Sequence, residues 1–246
     1  MKPLVSRGTS PTHAAVWSAE EWAAAIADVL QAAALDATPT QHQRLARYMA
    51  MLQQWNGTYN LTALRAPQDM LSHHLADCLA VVQPLRTALG LDAVQAQVIP
   101  AQHKVLDVGS GGGLPGVVLA ILSPSLVVTC VDTVGKKAAF VRQVAAELGL
   151  PNLRAEHARV EQLKGNYRVV TSRAFASLLD FVNWTQHLLS PDGGFWMAMK
   201  GKSPDDELAA LPAHAALDRI EPLQVPGLDA ERCIVWLSPV PARREA

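Results

Sequence analysis

The residues of this 246-residue chain that are best suited to chemistry surround a glycine-rich stretch. The run 104–108 predicts a buried strand, and the sequence Gly-Ser-Gly-Gly-Gly follows it directly at 109–113. Because glycines carry no side chain, such a loop lets the backbone approach a ligand closely. A helix is predicted to begin near Pro115 and Gly116, with its N-terminus facing the same ligand. Strand, loop and helix together predict a nucleotide-binding corner.

Two aspartates narrow the class of nucleotide. Asp107 lies within the first strand, where a dinucleotide-binding strand usually carries an apolar residue. Asp132 ends the next apolar run, 126–131, at a position where a carboxylate can accept both hydroxyls of a ribose. The pattern Asp-x-Gly-x-Gly-x-Gly followed by this second aspartate resembles the class I S-adenosylmethionine-dependent methyltransferases.

A second register of the same loop leaves another cofactor open. Gly111-x-Gly113-x-x-Gly116 satisfies the G-x-G-x-x-G pattern with an acid downstream, which is typical of nicotinamide-dependent oxidoreductases. A glycine-rich turn that binds nothing is a third interpretation, but four glycines in five residues cost chain entropy that a plain turn does not need. The sequence therefore favours S-adenosylmethionine and keeps a nicotinamide nucleotide as the alternative.

The composition predicts a globular protein of the cytoplasm. Half of the residues are hydrophobic, 17% are charged and the net charge is −1, which excludes a disordered chain and a global basic field. No apolar run approaches the roughly 20 residues that cross a bilayer, and the first residues lack the apolar centre of a signal peptide. Three cysteines without a C-x-x-C pair indicate neither disulfides nor zinc, so we expect a reduced protein without a metal.

The first third of the chain predicts helices. We expect residues 1–16 to form a loose tail, residues 17–85 a small N-terminal helical domain, and residues 86–102 a linker. Two capping boxes and a proline mark the predicted helix starts: Ser18 with Glu21, Thr38 with Gln41, and Pro67.

From residue 103 to residue 246, strand-like and helix-like runs alternate. This alternation predicts an α/β fold with a mostly parallel sheet and helices on both faces. The predicted parallel strands are 105–109, 127–132, 168–172 and 194–199. Two final apolar runs, 220–225 and 233–237, flank a Pro-Gly turn and predict a closing antiparallel pair.

An ordered set of motifs from about residue 40 to residue 240 resembles one bacterial family, RsmG/GidB, the 16S ribosomal RNA guanine-N7 methyltransferases. The motifs are Trp55-Asn56-x-x-Tyr59-Asn60-Leu61-Thr62, His74-x-x-Asp77, 107–116, Gly135-Lys136-Lys137, Arg159-Val160-Glu161, 172–176 and Lys200-Gly201. The resemblance implies a Rossmann-like class I methyltransferase fold with a seven-stranded sheet and a helical cap. It also implies methyl transfer from S-adenosylmethionine to one guanine in a decoding-region loop of the small ribosomal subunit.

The resemblance also implies which residues hold the cofactor. The glycine loop would bind its methionine part, Asp132 its ribose, and Val160 with Glu161 would border its adenine. Arg173, at the end of the fourth strand, would face the cofactor and the methyl-transfer space, or would serve as a structural ion-pair partner. The implied cofactor-binding residues are Gly109, Gly111, Leu114, Asp132, Val160, Glu161 and Arg173.

A local basic surface is expected to bind the RNA despite the neutral total charge. Its cations would meet phosphates, whereas the alternative is an ordinary solvated face. The implied RNA-binding residues are Asn60, Arg65, His74, Lys136, Lys137, Arg159 and Lys200. For His74 the alternative is a half-buried histidine that bonds to Asp77 or to the loop around Asn60.

The sequence lacks the residues that other methyl acceptors require. An Asp/Asn-Pro-Pro-aromatic cradle for exocyclic amines is absent after the fourth strand, and no cysteine follows a proline, as a pyrimidine-C5 nucleophile usually does. Guanine N7 loses no proton when it is alkylated, so we expect positioning rather than a general base. A small-molecule methyltransferase and a non-catalytic RNA-binding module remain as alternatives.

Overall fold

The computed structural model describes residues 16–92 and 103–241. The predicted tail lies outside this range apart from Val16, and so does most of the predicted linker. Within the described residues, no helix is both long and apolar enough to cross a membrane.

Seven strands form one sheet in the order β3-β2-β1-β4-β5-β7-β6. Strands β1 to β5 pair in parallel, whereas β7 is antiparallel to both β5 and β6. This sheet confirms the predicted fold class. The strands are β1 His103–Val108, β2 Leu126–Asp132, β3 Leu153–His157, β4 Val169–Arg173, β5 Phe195–Lys200, β6 Ala215–Pro222 and β7 Cys233–Pro239.

Two strands differ from the prediction. β3 was not predicted, because most of its side chains are polar and exposed and it lies at an edge of the sheet. β6 forms the predicted antiparallel pair with β7, but it covers 215–222 rather than 220–225. Its early residues are mostly exposed and lack the apolar pattern that marks a buried strand, so pairing with β7 defines them instead.

The helices follow the predicted starts. Both capping boxes form, at Ser18 and Thr38, and a helix begins at Pro67. A π-helix, Leu71–Ala76, interrupts the third predicted helix, and α5 runs into the predicted linker as far as Ala88. The α-helices are α1 Ala19–Ala32, α2 Pro39–Tyr59, α3 Pro67–Met70, α4 Asp77–Leu79, α5 Val82–Ala88, α6 Gly116–Leu122, α7 Gly135–Glu147, α8 Leu178–Thr185 and α9 Asp205–Ala209.

The N-terminal helices share one apolar core with one face of the sheet. Trp22 and Leu45 belong to the same buried cluster as Phe140 of α7. The buried Tyr48 hydroxyl donates to the carbonyl of Gly112 at 2.8 Å, and Gln41 donates to the carbonyl of Ile121 at 3.1 Å. These contacts hold α2 directly against the glycine loop and α6.

The register of the sheet brings the chemically important residues to one edge. Val108 of β1 pairs with Val131 of β2 on one side and with Ser172 of β4 on the other. Because parallel strands end at the same edge, Gly109, Asp132 and Arg173 follow one another there. Open α/β sheets bind their ligands at this edge.

Candidate active site

A cavity of about 410 Å³ opens at the carboxyl ends of β1 and β2. We call it the first cavity. Its volume lies in the usual range for small-molecule and cofactor sites. It is lined by Val108, Gly109, Val131, Asp132, Thr133, Val134, Lys137, Ala158, Arg159, Val160, Glu161, Ala174, Phe175 and Trp184.

Asp132 organises this cavity through its carboxylate. The side chain is 7% exposed, and it accepts hydrogen bonds from the backbone N–H groups of Gly111 at 3.0 Å and Val134 at 2.8 Å. The Lys137 Nζ lies 3.8 Å from the same group. Each carboxylate oxygen can accept a further bond, so Asp132 fits the expected role at a ribose diol while it also fixes the glycine loop.

Gly109 occupies a position of the loop where a larger residue would meet both backbone strain and a steric clash. Its φ is +66°, and a Cβ placed on it would lie 2.2 Å from Cδ2 of Phe175. The Phe175 ring packs edge-on against Trp184, with 5.9 Å between centroids. These two aromatic residues form an apolar wall of the cavity. Neither residue was among the predicted cofactor-binding residues, although Phe175 lies within the motif 172–176.

Gly111 and Leu114 were predicted to bind the cofactor, but they are not among the residues that line the first cavity. Gly111 has a φ of +58° and acts through its N–H, which donates to Asp132. Leu114 is 5% exposed and belongs to the apolar core. Both residues lie where the chain turns from the glycine loop into α6, and their contact with the cofactor stays a prediction.

Val160 and Glu161, predicted to border the adenine, line the first cavity. They belong to a short 3₁₀-helix, Val160–Gln162, in which Val160 is buried and Glu161 exposed. Arg159 and Lys137, predicted as RNA contacts, line the same cavity. The exposed Lys136 precedes Lys137 on α7 and is not among the lining residues.

Arg173 is not among the residues that line the first cavity. Its Nη1 donates to Asp77 at 3.3 Å and to the His73 carbonyl at 3.0 Å. It lines a second cavity of about 260 Å³ that shares Ala174 with the first. The structural ion-pair interpretation therefore describes its contacts, because Asp77 comes within reach once the helices pack against β4.

Four other predicted RNA-binding residues have protein partners. His74 is 8% exposed, and its Nε2 hydrogen-bonds to the Thr62 hydroxyl in the loop around Asn60. The exposed Asn60 and Arg65 side chains bond to each other. Lys200 is half-buried and forms a 2.8 Å ion pair with Glu207. Of these residues, Asn60 and Arg65 are the ones that lie exposed.

Asp107 bonds to the backbone rather than to a residue of either cavity. It is fully buried, and its Oδ2 accepts a 2.8 Å hydrogen bond from the N–H of Gly116 at the start of α6. Burial raises the pKa of this carboxyl group to about 7, although the Gly116 bond opposes the shift. Oδ1 is buried without a hydrogen-bond partner. Asp107 thus ties β1 to the helix that follows the glycine loop.

His74 should make folding stability depend on pH. Burial and the nearby Arg173 charge lower its pKa to about 4, whereas an unfolded histidine titrates near 6.5. The folded state therefore resists protonation, and up to about 3 kcal/mol of stability present above pH 6.5 should be lost as the pH falls to about 4.

Urea unfolding of the wild type and of His74→Asn between pH 4 and pH 7.5 measures this effect. The free-energy difference in favour of the wild type should grow with pH across that window. Asp107 titrates with the opposite sign but is common to both proteins, so it cancels in the comparison. Parallel stability curves would contradict the assignment of this pH dependence to His74.

The described residues contain no cluster of three or more His, Cys, Asp or Glu side chains that could hold a metal ion. His73, His74 and Asp77 are close in sequence, but Asp77 bonds to two arginines and His74 to Thr62 and Arg173.

Comparison with known proteins agrees with this geometry. Residues 41–235 match the family model described as rRNA small subunit methyltransferase G. A protein of that name from Acidovorax sp. (strain JS42) is 53% identical over 88% of this chain and 95% of its own length. One from Bordetella avium (strain 197N) is 56% identical over 84% of this chain and 89% of its own. The chain therefore belongs to the ribosomal RNA small subunit methyltransferase G family.

Proposed function

We propose that this protein transfers a methyl group from S-adenosylmethionine to N7 of one guanine in 16S ribosomal RNA. The observation that carries the proposal is the pair of adjoining cavities at the sheet edge, one organised by Asp132 and one rich in cations, in a chain of this family. We place the reaction in the cytoplasm, on the RNA of the small ribosomal subunit.

S-adenosylmethionine is the cofactor of this family, and the first cavity fits it. Asp132 supplies acceptors for a ribose, Gly109 a bare backbone surface, and Phe175 with Trp184 an apolar wall. The cofactor supplies an electrophilic methyl group. The residues of the chain have to bind it, orient it and keep water from it.

The residues of the second cavity are compatible with nucleophilic attack by guanine N7 on the methyl group. N7 carries a free lone pair, so no proton has to be removed as the methyl group is transferred. Asp77 is the one carboxylate among the described residues that line this cavity, and both of its oxygens accept from arginines. Positioning of the base and tolerance of the new positive charge are then the tasks of the protein.

Exposed cations around the two cavities support an RNA substrate. Arg159 is exposed at the first cavity, and Lys136 is exposed on α7 beside it. Arg65 is exposed on the loop that follows α2. We propose that these side chains meet phosphates, together with the exposed Asn60 and with Lys137 and Lys200, which are half-buried. His74 is better placed to support Arg173 and the loop than to contact RNA, because it is buried.

The chemical identity of the product tests the proposal. Small subunits that lack the modification are incubated with the enzyme and S-adenosylmethionine, and the RNA is then treated with borohydride and aniline. We expect strand cleavage at one guanine, because N7 methylation labilises that nucleotide.

The control is the same RNA incubated without S-adenosylmethionine, which should not be cleaved. Methyl incorporation into the RNA without cleavage would show that another atom is modified. Incorporation into small metabolites alone would replace the ribosomal substrate with a small-molecule one.

A further inference from the structure

The second cavity combines one carboxylate with several cations and an apolar surface. Asp77 is the carboxylate, and the cations are Arg173, Lys200 and Arg232. Met199, Leu223 and Cys233 add apolar lining. This combination suits a nucleotide, which carries an anionic phosphate, a flat ring and polar edges.

Ala174 places this cavity next to the methyl donor. Ala174 lines both cavities. The residue before it, Arg173, lines the second cavity, and the residue after it, Phe175, lines the first. The Ala174 φ of +49° is rare for a residue with a side chain and lets the backbone turn between the two cavities. Since methyl transfer needs reacting atoms about 3–3.5 Å apart, an acceptor has to occupy a neighbouring space of this kind.

Two arginines that are distant in sequence hold the Asp77 carboxylate, one at the end of β4 and one directly before β7. Arg173 Nη1 lies 3.3 Å from Oδ2, and Arg232 Nε lies 3.0 Å from Oδ1. The side chain is only 5% exposed, so the pair of arginines fixes its orientation and compensates its burial. Each oxygen of the carboxylate thus accepts from one arginine.

A π-helix lies directly beside the Asp77–Arg173 pair. The segment Leu71–Ala76 precedes Asp77, and its His73 carbonyl accepts from Arg173 at 3.0 Å. The same guanidinium thus bonds to the π-helix and to the residue that follows it. Short π-helical turns within helices are frequent at functional sites.

We propose that Asp77 recognises the guanine that is methylated by accepting hydrogen bonds from its N1–H and its 2-amino group. The inference rests on the proposed function and adds the residue that selects the base. Each Asp77 oxygen has a second lone pair beyond its arginine bond, so the carboxylate offers two parallel acceptors. Guanine is the one standard RNA base with two adjacent donors on its pairing edge.

This recognition leaves the reacting atom free. N1 and the 2-amino group lie on the six-membered ring, whereas N7 belongs to the opposite side of the purine. A guanine held by Asp77 therefore presents N7 away from the carboxylate. Arg232 and Lys200, each about one-fifth exposed, would then meet the nucleotide's phosphate at the opening of the cavity.

A purely structural role for Asp77 predicts a different result. If the carboxylate only joined two arginines, its loss would weaken methylation of every base analogue by the same factor. If it contacts guanine, its loss should matter less for an analogue that lacks one of the donors. Inosine is that analogue, because it keeps N7, O6 and N1–H but lacks the 2-amino group.

The experiment compares small subunits carrying guanosine or inosine at the target position, with the full-length wild type and with Asp77→Asn. For the wild type we expect kcat/KM to favour guanosine by about ten- to hundredfold, the value of one charge-assisted hydrogen bond. For Asp77→Asn the preference for guanosine over inosine should fall to about threefold or less, which is well below the value of a charge-assisted hydrogen bond. Calorimetry with S-adenosylmethionine checks that the variant retains the first cavity.

Glu207→Gln is the matched control, because it breaks the Lys200 ion pair at the same cavity without touching Asp77. Its overall rate should fall while its preference for guanosine stays at the wild-type value. If the wild type and Asp77→Asn prefer guanosine over inosine by the same factor, the inference is overturned. The proposed function stays intact in that case as long as the wild type methylates N7. If the wild type has nearly the same kcat/KM for guanosine and inosine, the inference is overturned even if Asp77→Asn does not fold. A wild type that forms no N7-methylguanine overturns both.

Discussion

Replacing Asp132 with alanine should weaken S-adenosylmethionine binding by about ten- to hundredfold, which corresponds to a lost charge-assisted hydrogen bond. The loss has two sources. The ribose loses its acceptors, and the N–H groups of Gly111 and Val134 lose the carboxylate that holds the glycine loop in place. Lys137 also loses its partner and leaves a positive charge at the cavity wall. Calorimetric titration of the folded variant measures the effect.

Asp132→Asn is the matched control for this variant. It keeps the shape of the side chain and one acceptor, so one of the two backbone bonds can persist. We expect its affinity to lie between those of the wild type and Asp132→Ala. A dissociation constant for Asp132→Ala equal to that of the wild type would show that the ribose binds elsewhere.

Gly109→Ala should damage the cofactor cavity even though it adds a single methyl group. The new Cβ would lie 2.2 Å from Cδ2 of Phe175, so the ring has to leave its present position. Overpacking of this kind costs about 1–3 kcal/mol, and the left-handed backbone adds about 1–2 kcal/mol. We expect a lower melting temperature and at least about a tenfold loss of S-adenosylmethionine affinity, a free-energy change of about 1.4 kcal/mol.

Gly111→Ala separates the two costs. Gly111 also has a positive φ, +58°, but the nearest atom to an added Cβ is the Leu61 carbonyl oxygen at 3.9 Å. This variant should lose stability through backbone strain alone and keep the Phe175 wall. Removing the ring in Gly109→Ala/Phe175→Ala should restore part of the lost stability. If both single variants bind the cofactor equally well, displacement of Phe175 has no effect on the cavity.

Features that depend on neighbours along the chain could be predicted from the amino-acid sequence. The capping boxes at Ser18 and Thr38 form because each side chain bonds three residues away. The glycine loop and Asp132 could be predicted because each directly follows an apolar strand-like run in the sequence. The seven-stranded sheet followed from the alternation of apolar runs together with the family motifs.

Contacts between side chains that are distant in sequence became known from the three-dimensional fold. Asp77 bonds to Arg173 and Arg232, which are 96 and 155 residues further along the chain. Phe175 covers Gly109, although no spacing rule links them. Such pairs arise because the order and register of the strands bring their ends to one edge, and because the helices before β1 pack against that edge. A linear pattern does not encode these distances, since hydrogen bonds and ion pairs depend on positions in space.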